Sequence, residues 1–297
     1  TLYPLALEVI GGAKISVGPP FFNLTFGPLM VPLLLLLPIG PMLAWKRADA
    51  WAAVQRLWVA AIIALIAGGI AFGLKSNGPL LAPLGIALGM WLIAGAIAEP
   101  LYRARFGEVP MAIAFRRLLG LPRSTFGTAI AHAGVGLVVL GIVGVSAWRQ
   151  EQVLVMTPGQ VVNVAGATIT FGGVVPVKGP NWQDEQGRFQ VVSGGREVAV
   201  LTPAKRTMQP SGQTTSEVGI HPFWTGDLYI AMGDGDRASG GRVVRIYYNP
   251  LVALIWLGAL VMFIGGAVSL SDRRFRVGAP NRSATRKAGR QTAGARA

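Results

Sequence analysis

The 297-residue chain contains no cysteine, only two histidines and few charged residues, 13% in all. Without cysteine there is no disulfide framework, no thiolate metal site and no Cys nucleophile, so any redox chemistry needs a bound cofactor or a partner's thiols. No Walker loop, GxSxG elbow or HExxH pair occurs, which leaves ATP hydrolysis and serine or zinc hydrolysis without support. Acidic residues are scarcer than basic ones, 13 against 27, giving a net charge of +14. That surplus does not point to nucleic acid, because the Lys and Arg cluster in short segments beside apolar runs, as the cytoplasmic flanks of membrane helices do. What is abundant is apolar surface: 52% of the residues are hydrophobic, too many for one soluble globule.

Apolar runs of about twenty residues, the length that crosses a bilayer core, lie near Leu24–Trp45, Leu57–Leu74, Leu80–Ala98, Phe126–Trp148 and Pro250–Leu270. Five spans are expected, the first kinked by Pro28, Pro32, Pro38 and Pro41. Short loops rich in Lys and Arg stay in the cytoplasm. Lys46, Arg47 and Arg56 mark one such turn, Arg103, Arg105, Arg116, Arg117 and Arg123 a second, and Arg273, Arg274 and Arg276 open a basic tail. The turn Ser76-Asn77-Gly78-Pro79 and the long segment Arg149–Tyr248 then face outward.

That outer segment alternates polar and apolar residues, as in Ala167-Thr168-Ile169-Thr170-Phe171 and Arg242-Val243-Val244-Arg245-Ile246-Tyr247, between Gly-rich turns. It reads as a small β-sandwich or barrel. The expected fold class is thus an α-helical polytopic membrane protein with about five transmembrane helices and one extracytoplasmic β-rich domain. Its divisions are 1–23, a periplasmic loop and the end of a preceding helix; 24–148, four membrane helices; 149–248, the periplasmic β-domain; 249–271, the fifth span; and 272–297, a basic disordered cytoplasmic tail. The tail reads as a topology anchor at anionic headgroups. Because the chain opens at Thr1, and Leu2–Ile10 lacks a basic n-region or a cleavage site, the sequence reads as a fragment or processed product.

His132, in Ala131-His132-Ala133-Gly134, falls inside the fourth span about nine residues past Arg123. A polar group there is costly and asks for a partner or a ligand. Two readings stand: a His that hydrogen-bonds a neighbouring helix, or a functional imidazole that ligates haem iron or relays protons. Thr128, Ala129 and Gly136 lie at i−4, i−3 and i+4, so the helix face around the ring is small and would admit a flat macrocycle. Small residues such as Gly127, Ala131 and Gly134 equally serve plain helix packing.

The other histidine, His221 in Ile220-His221-Pro222-Phe223, has no His or carboxylate at metal-ligand spacing and reads as a surface or packing residue. Glu99, at the end of the third span, reads as a solvated boundary charge. Lys14–Asn23 is a Pro- and Phe-rich loop before the first full span, either an interfacial belt or a lid over an outward-facing site.

Lys14–Asn23 followed by a Pro-rich span, Ala131-His132-Ala133-Gly134-Val135-Gly136, Asp227-Leu228-Tyr229, Arg245-Ile246-Tyr247-Tyr248-Asn249-Pro250, Ile255-Trp256, Gly265-Gly266 and Asp272-Arg273-Arg274 closely resemble, in order, the C-terminal portion of the CcmF family, the haem-lyase subunits of bacterial cytochrome c maturation. The resemblance implies an inner-membrane, multi-pass machine with its large loop in the periplasm. Such a machine receives haem from a CcmE-like chaperone and, with CcmH-like partners, attaches it to the CXXCH cysteines of apocytochrome c. It also implies that His132 is one of two transmembrane His ligands of a b-type haem, haem b. The family's Trp-rich haem-binding segment, its flanking His pair and the other haem ligand lie upstream in the N-terminal part of the family protein; Trp182 and Trp224 do not replace that segment. The chain is therefore not expected to ligate haem alone, and a proton-relaying transporter-like bundle or a structural scaffold is the alternative reading. Membrane lipid, and no nucleic acid, is the remaining expected partner.

Overall fold

The computed structural model describes residues 9–11, 18–43, 49–74, 78–235 and 241–272. The helices are α1 (Pro19–Leu36), α2 (Ala50–Arg56), α3 (Trp58–Gly73), α4 (Ala82–Arg103), α5 (Met111–Leu119), α6 (Arg123–Trp148) and α7 (Ala253–Leu270). Among the described residues four helical segments are long and apolar enough to cross a membrane, and five if α2 and α3, bent by 56°, form one broken span. Lys14 to Val17 of the aromatic loop and the tail from Arg273 onward lie outside the described residues.

The chain divides into two compact units, residues 1–66, 88–136 and 260–297, and residues 67–87 and 137–259. In the first, the run Leu24–Trp45 is not one straight helix. The α-helix ends at Leu36, and a single 3₁₀ turn follows at Gly40–Met42, because Pro38 and Pro41 carry no N–H to continue the ladder. The carbonyl of Leu35 instead accepts a hydrogen bond from the indole Nε1 of Trp91 on α4, at 3.0 Å. Gly95, one turn further along α4, makes room for the Pro38 ring, since a Cβ there would stand 2.5 Å from the proline Cβ. Met42, Ala53, Leu57, Ala60 and Ala94 form a small buried cluster beside this contact.

Among the described residues the second unit carries ten strands in two sheets. One has the order β1 (Gln150–Met156), β10 (Arg242–Pro250), β9 (Gly226–Gly235), β8 (Gly219–Pro222). The other runs β2 (Val161–Val164), β3 (Ala167–Lys178), β4 (Trp182–Ser193), β6 (Ala204–Met208), β7 (Thr214–Glu217), with β5 (Arg196–Leu201) pairing the far half of β4. All pairings are antiparallel. The period-two alternation places Ala167, Ile169 and Phe171 of β3, Phe189 and Val191 of β4, Leu228 and Ile230 of β9, and Val244 and Ile246 of β10 in one core. Phe171 and Phe189 pair in register and stack at 4.8 Å. Past Phe171 the register shifts at Gly172-Gly173, where Gly173 takes a φ of 104° that a side chain would resist.

The conspicuous Arg245–Pro250 run forms the junction from β10 into α7. Gly226 lies so close to Asn249 and Pro250 that a Cβ would collide with their backbone. Leu251 N–H donates to the Thr225 carbonyl at 2.9 Å, and the Tyr248 hydroxyl is hydrogen-bonded to Thr225 Oγ1 at 2.6 Å. Beside it, β1 continues directly from α6, and Arg149 lies 4.4 Å over the Tyr247 ring while pairing with Glu151. Two neighbouring strands, β1 and β10, therefore tie the sandwich to two apolar helices.

Candidate functional site

His132 lies on α6, and its side chain lines a cavity of about 720 Å³ in the first unit. The near wall is one stripe of α6, Thr125, Thr128 and His132, at the i, i+3, i+7 spacing that shares a helix face. The facing wall is apolar, from Leu33 and Leu36 on α1 and from Leu37 to Pro41 in the proline-interrupted turn beyond it. The third wall is α4, with Glu99 and Arg103. Asp272, after α7, fixes the start of α6 by accepting the Ser124 N–H at 3.1 Å, the role an N-cap carboxylate plays.

Glu99 is not the solvated boundary charge that its place in the sequence suggests. Helix α4 runs past Pro100 to Arg103, so the carboxylate lies within the helix, only 4% exposed, and meets the Arg103 guanidinium at 3.0 Å. Pairing at i, i+4 keeps a buried charge from standing alone. The result is a cavity with apolar sides, a hydroxyl-bearing floor and one ion pair. Among the described residues His132 has no hydrogen-bonding or ion-pair partner.

The sequence grouped Thr128, Ala129 and Gly136 around the imidazole; the structure brings only Thr128 to the cavity with it. Ala129 is buried, and Gly136 lies in a helix contact, where a Cβ would come within 2.6 Å of Ile93 Cγ1 and 2.8 Å of the Gly89 carbonyl on α4. A shared spacing of three or four residues spans more than one direction, and α6 has neighbours on several sides. Thr125 at i−7, the Glu99–Arg103 pair and the α1 wall also line the cavity, and helical spacing around His132 points to none of them except Thr125.

In the sandwich, His221 is a packing residue, edge-on to Phe223 at 4.7 Å. Trp182 carries the Arg206 guanidinium at 4.2 Å, and Arg206 makes two 2.9 Å hydrogen bonds to the buried Asp184. These bonds, more than the ion pairing with Asp184 and Glu217, hold the arginine proton still more firmly than usual. Trp224 is fully exposed. Among the described residues no cluster of His and carboxylates has the geometry of a metal site.

A helical, membrane-compatible bundle with a mostly apolar cavity, and a β-sandwich inserted in the chain between its last two long helices, defines the class of protein. Residues 147–250 match the family model described as the CcmF C-terminal beta-sandwich. Over 95% of its length the chain is 50% identical to the cytochrome c-type biogenesis protein CycK of Rhizobium meliloti, and over 93% it is 35% identical to CcmF of Pseudomonas aeruginosa. A solved structure described as cytochrome c heme lyase CcmF shares the fold, with a TM-score of 0.70 over 91% of this chain at 21% identity. The chain is similar to the C-terminal portion of the CcmF proteins. It spans 42% of the length of the Rhizobium relative and 42% of the solved chain.

Proposed function

We propose that the chain serves haem handling in cytochrome c maturation, as part of a haem lyase complex of the bacterial inner membrane, with His132 as one axial ligand of a membrane-embedded b-type haem. The observation that carries this reading is an imidazole without a protein partner among the described residues, set on a large and mostly apolar cavity. The donor set fits the cofactor: a neutral imidazole for iron, apolar walls from α1 for the macrocycle, and a guanidinium and hydroxyls for polar edges. His132 would hold the iron, Thr128 would lie one turn below it, and bound haem would supply one-electron redox chemistry. The second ligand would come from the part of a CcmF-type protein that this chain does not match. The basic clusters support a periplasmic sandwich, where CcmE-like and CcmH-like proteins and apocytochrome c are the proposed partners.

The presence of Glu99 on the same cavity favours, as the second reading, an intramembrane proton relay. An absorption spectrum of the purified complex separates the two. Haem ligation predicts a low-spin Soret band that His132→Ala removes while insertion and folding persist, because the helix loses only a costly polar group. Normal haem content in His132→Ala would overturn the ligand assignment and leave the relay.

A further inference from the structure

The short helix α5 has no place in the site described above, yet it carries a strong pattern of its own. Its sequence, Met-Ala-Ile-Ala-Phe-Arg-Arg-Leu-Leu, starts after Pro110 and is closed by Gly120, whose N–H donates to the carbonyls of Arg116 and Arg117. Met111, Phe115 and Leu119 recur every fourth residue and form one stripe, exposed to 68%, 57% and 69%. Ala114 is fully buried and seats the helix on the protein, so the stripe looks away from it to one side. Arg116 stands at the flank of the stripe and Arg117 on the far face, about 100° and 160° away at 100° per residue. Among the described residues neither guanidinium has an ion-pair partner, whereas the neighbouring Arg105 is paired with Glu108.

The surroundings determine what covers such a face. Residues 104–110 and 120–122 join α5 to α4 and α6, two helices of membrane-crossing length and hydropathy. Nine residues rise only about 14 Å, less than half of a bilayer core, so α5 does not cross. A helix joined at both ends to helices of membrane-crossing length, with an exposed apolar stripe, one unpaired arginine at its flank and another on the far face, has the build of an interfacial helix. We propose that α5 lies in the plane of the membrane surface, with Met111, Phe115 and Leu119 among the acyl chains and Arg116 and Arg117 binding anionic phospholipid headgroups. This rests on α5 and its two flanking helices and is independent of whether His132 binds haem. Selectivity follows from charge: each arginine near an anionic surface raises lipid affinity about five-fold.

The chain has no cysteine, so single cysteines can be introduced without removing others. Phe115→Cys, Leu119→Cys and Arg117→Cys, each in the full-length protein, are spin-labelled and reconstituted in phosphatidylcholine vesicles with and without phosphatidylglycerol. The labels at 115 and 119 are expected to be reached by oxygen, which concentrates in lipid, in preference to a water-soluble nickel chelate, and the label at 117 the reverse. In the unlabelled protein, Arg116→Gln with Arg117→Gln lowers the phosphatidylglycerol that co-purifies, relative to phosphatidylcholine, by several-fold. Labels at 115 and 119 shielded from both reagents show that another part of the protein covers the stripe, and equal access to the nickel chelate at all three places it in water; either overturns the proposal. Unchanged phosphatidylglycerol retention in the double variant overturns its anionic selectivity. Using two stripe positions keeps the result decisive if one variant fails to fold.

Discussion

In the β-sandwich the fully buried side chains are large, Phe171, Phe189, Ile169, Ile230 and Ile246 among them, whereas the helices bury mostly alanine and leave Leu29, Leu65, Phe72 and Phe263 exposed. The difference is the one that lipid around the helices and water around the sandwich would produce. In water, large apolar side chains are driven inward, each contributing about 1.5–3 kcal/mol on burial. Between helices in lipid that drive is absent, and close backbone approach through small residues takes its place. The α6–α7 contact shows this directly: a Cβ at Gly127 would strike the backbone of Ser269 and the Gly265 carbonyl, and one at Gly265 would come within 2.5 Å of the Ala131 nitrogen.

The strongest way to break that comparison is to make the same truncation in both regions. Phe189→Ala removes a stacked, fully buried ring from the core, and is expected to destabilise the sandwich by about 3–5 kcal/mol. Phe263→Ala, on the exposed face of α7, is expected to change stability by less than about 0.5 kcal/mol. Denaturant unfolding followed by circular dichroism compares the two; similar losses would mean that Phe263 is buried against a surface outside the described residues.

A smaller effect tests the helical side. Gly265→Val forces a branched side chain against backbone atoms that cannot rotate away, and is expected to cost about 1–3 kcal/mol. Gly266, its neighbour, has nothing within 4 Å of a built Cβ, so Gly266→Val is expected to be tolerated. Thermal unfolding in detergent distinguishes them, and equal behaviour would remove close backbone contact as the principle of the α6–α7 packing.

The same contrast explains what could be read from sequence. The sandwich was legible because water on one side imposes a period of two, visible in Ala167 to Phe171 and Val243 to Tyr247. The apolar runs were legible as spans by length, but not their neighbours, since hydropathy in an all-apolar helix carries almost no direction. Hence His132 and Thr128 were found together, while Glu99, Arg103 and the α1 wall of their cavity were not. Gly136 lies against Ile93 and Gly89 of α4, a direction that spacing alone does not show. Helix α5 was passed over as a basic turn because nine residues fall below the length at which an apolar run stands out, although its four-residue stripe was present in the sequence.

The smallest expected effect concerns the sandwich and its pH response. Asp227 sits on β9 opposite Pro222 of β8 and Asn249 of β10, at the end of the sheet near the α7 junction. Burial raises its carboxyl above the ordinary 3.8, and the charge of His221 pulls it part of the way back. A raised carboxyl binds its proton more tightly folded than unfolded, so its contribution to stability is complete below pH 3.8 and is lost as the pH rises through the raised value. Asp227→Asn, which cannot ionise, removes that decline, and its advantage over the parent grows across the same window and then levels off. His221→Gln acts oppositely: burial is no longer countered, the carboxyl rises further, and the decline extends to higher pH. Melting temperatures measured against pH for the three proteins test this. Parallel profiles for the parent and Asp227→Asn would show that the carboxylate is as well solvated folded as unfolded.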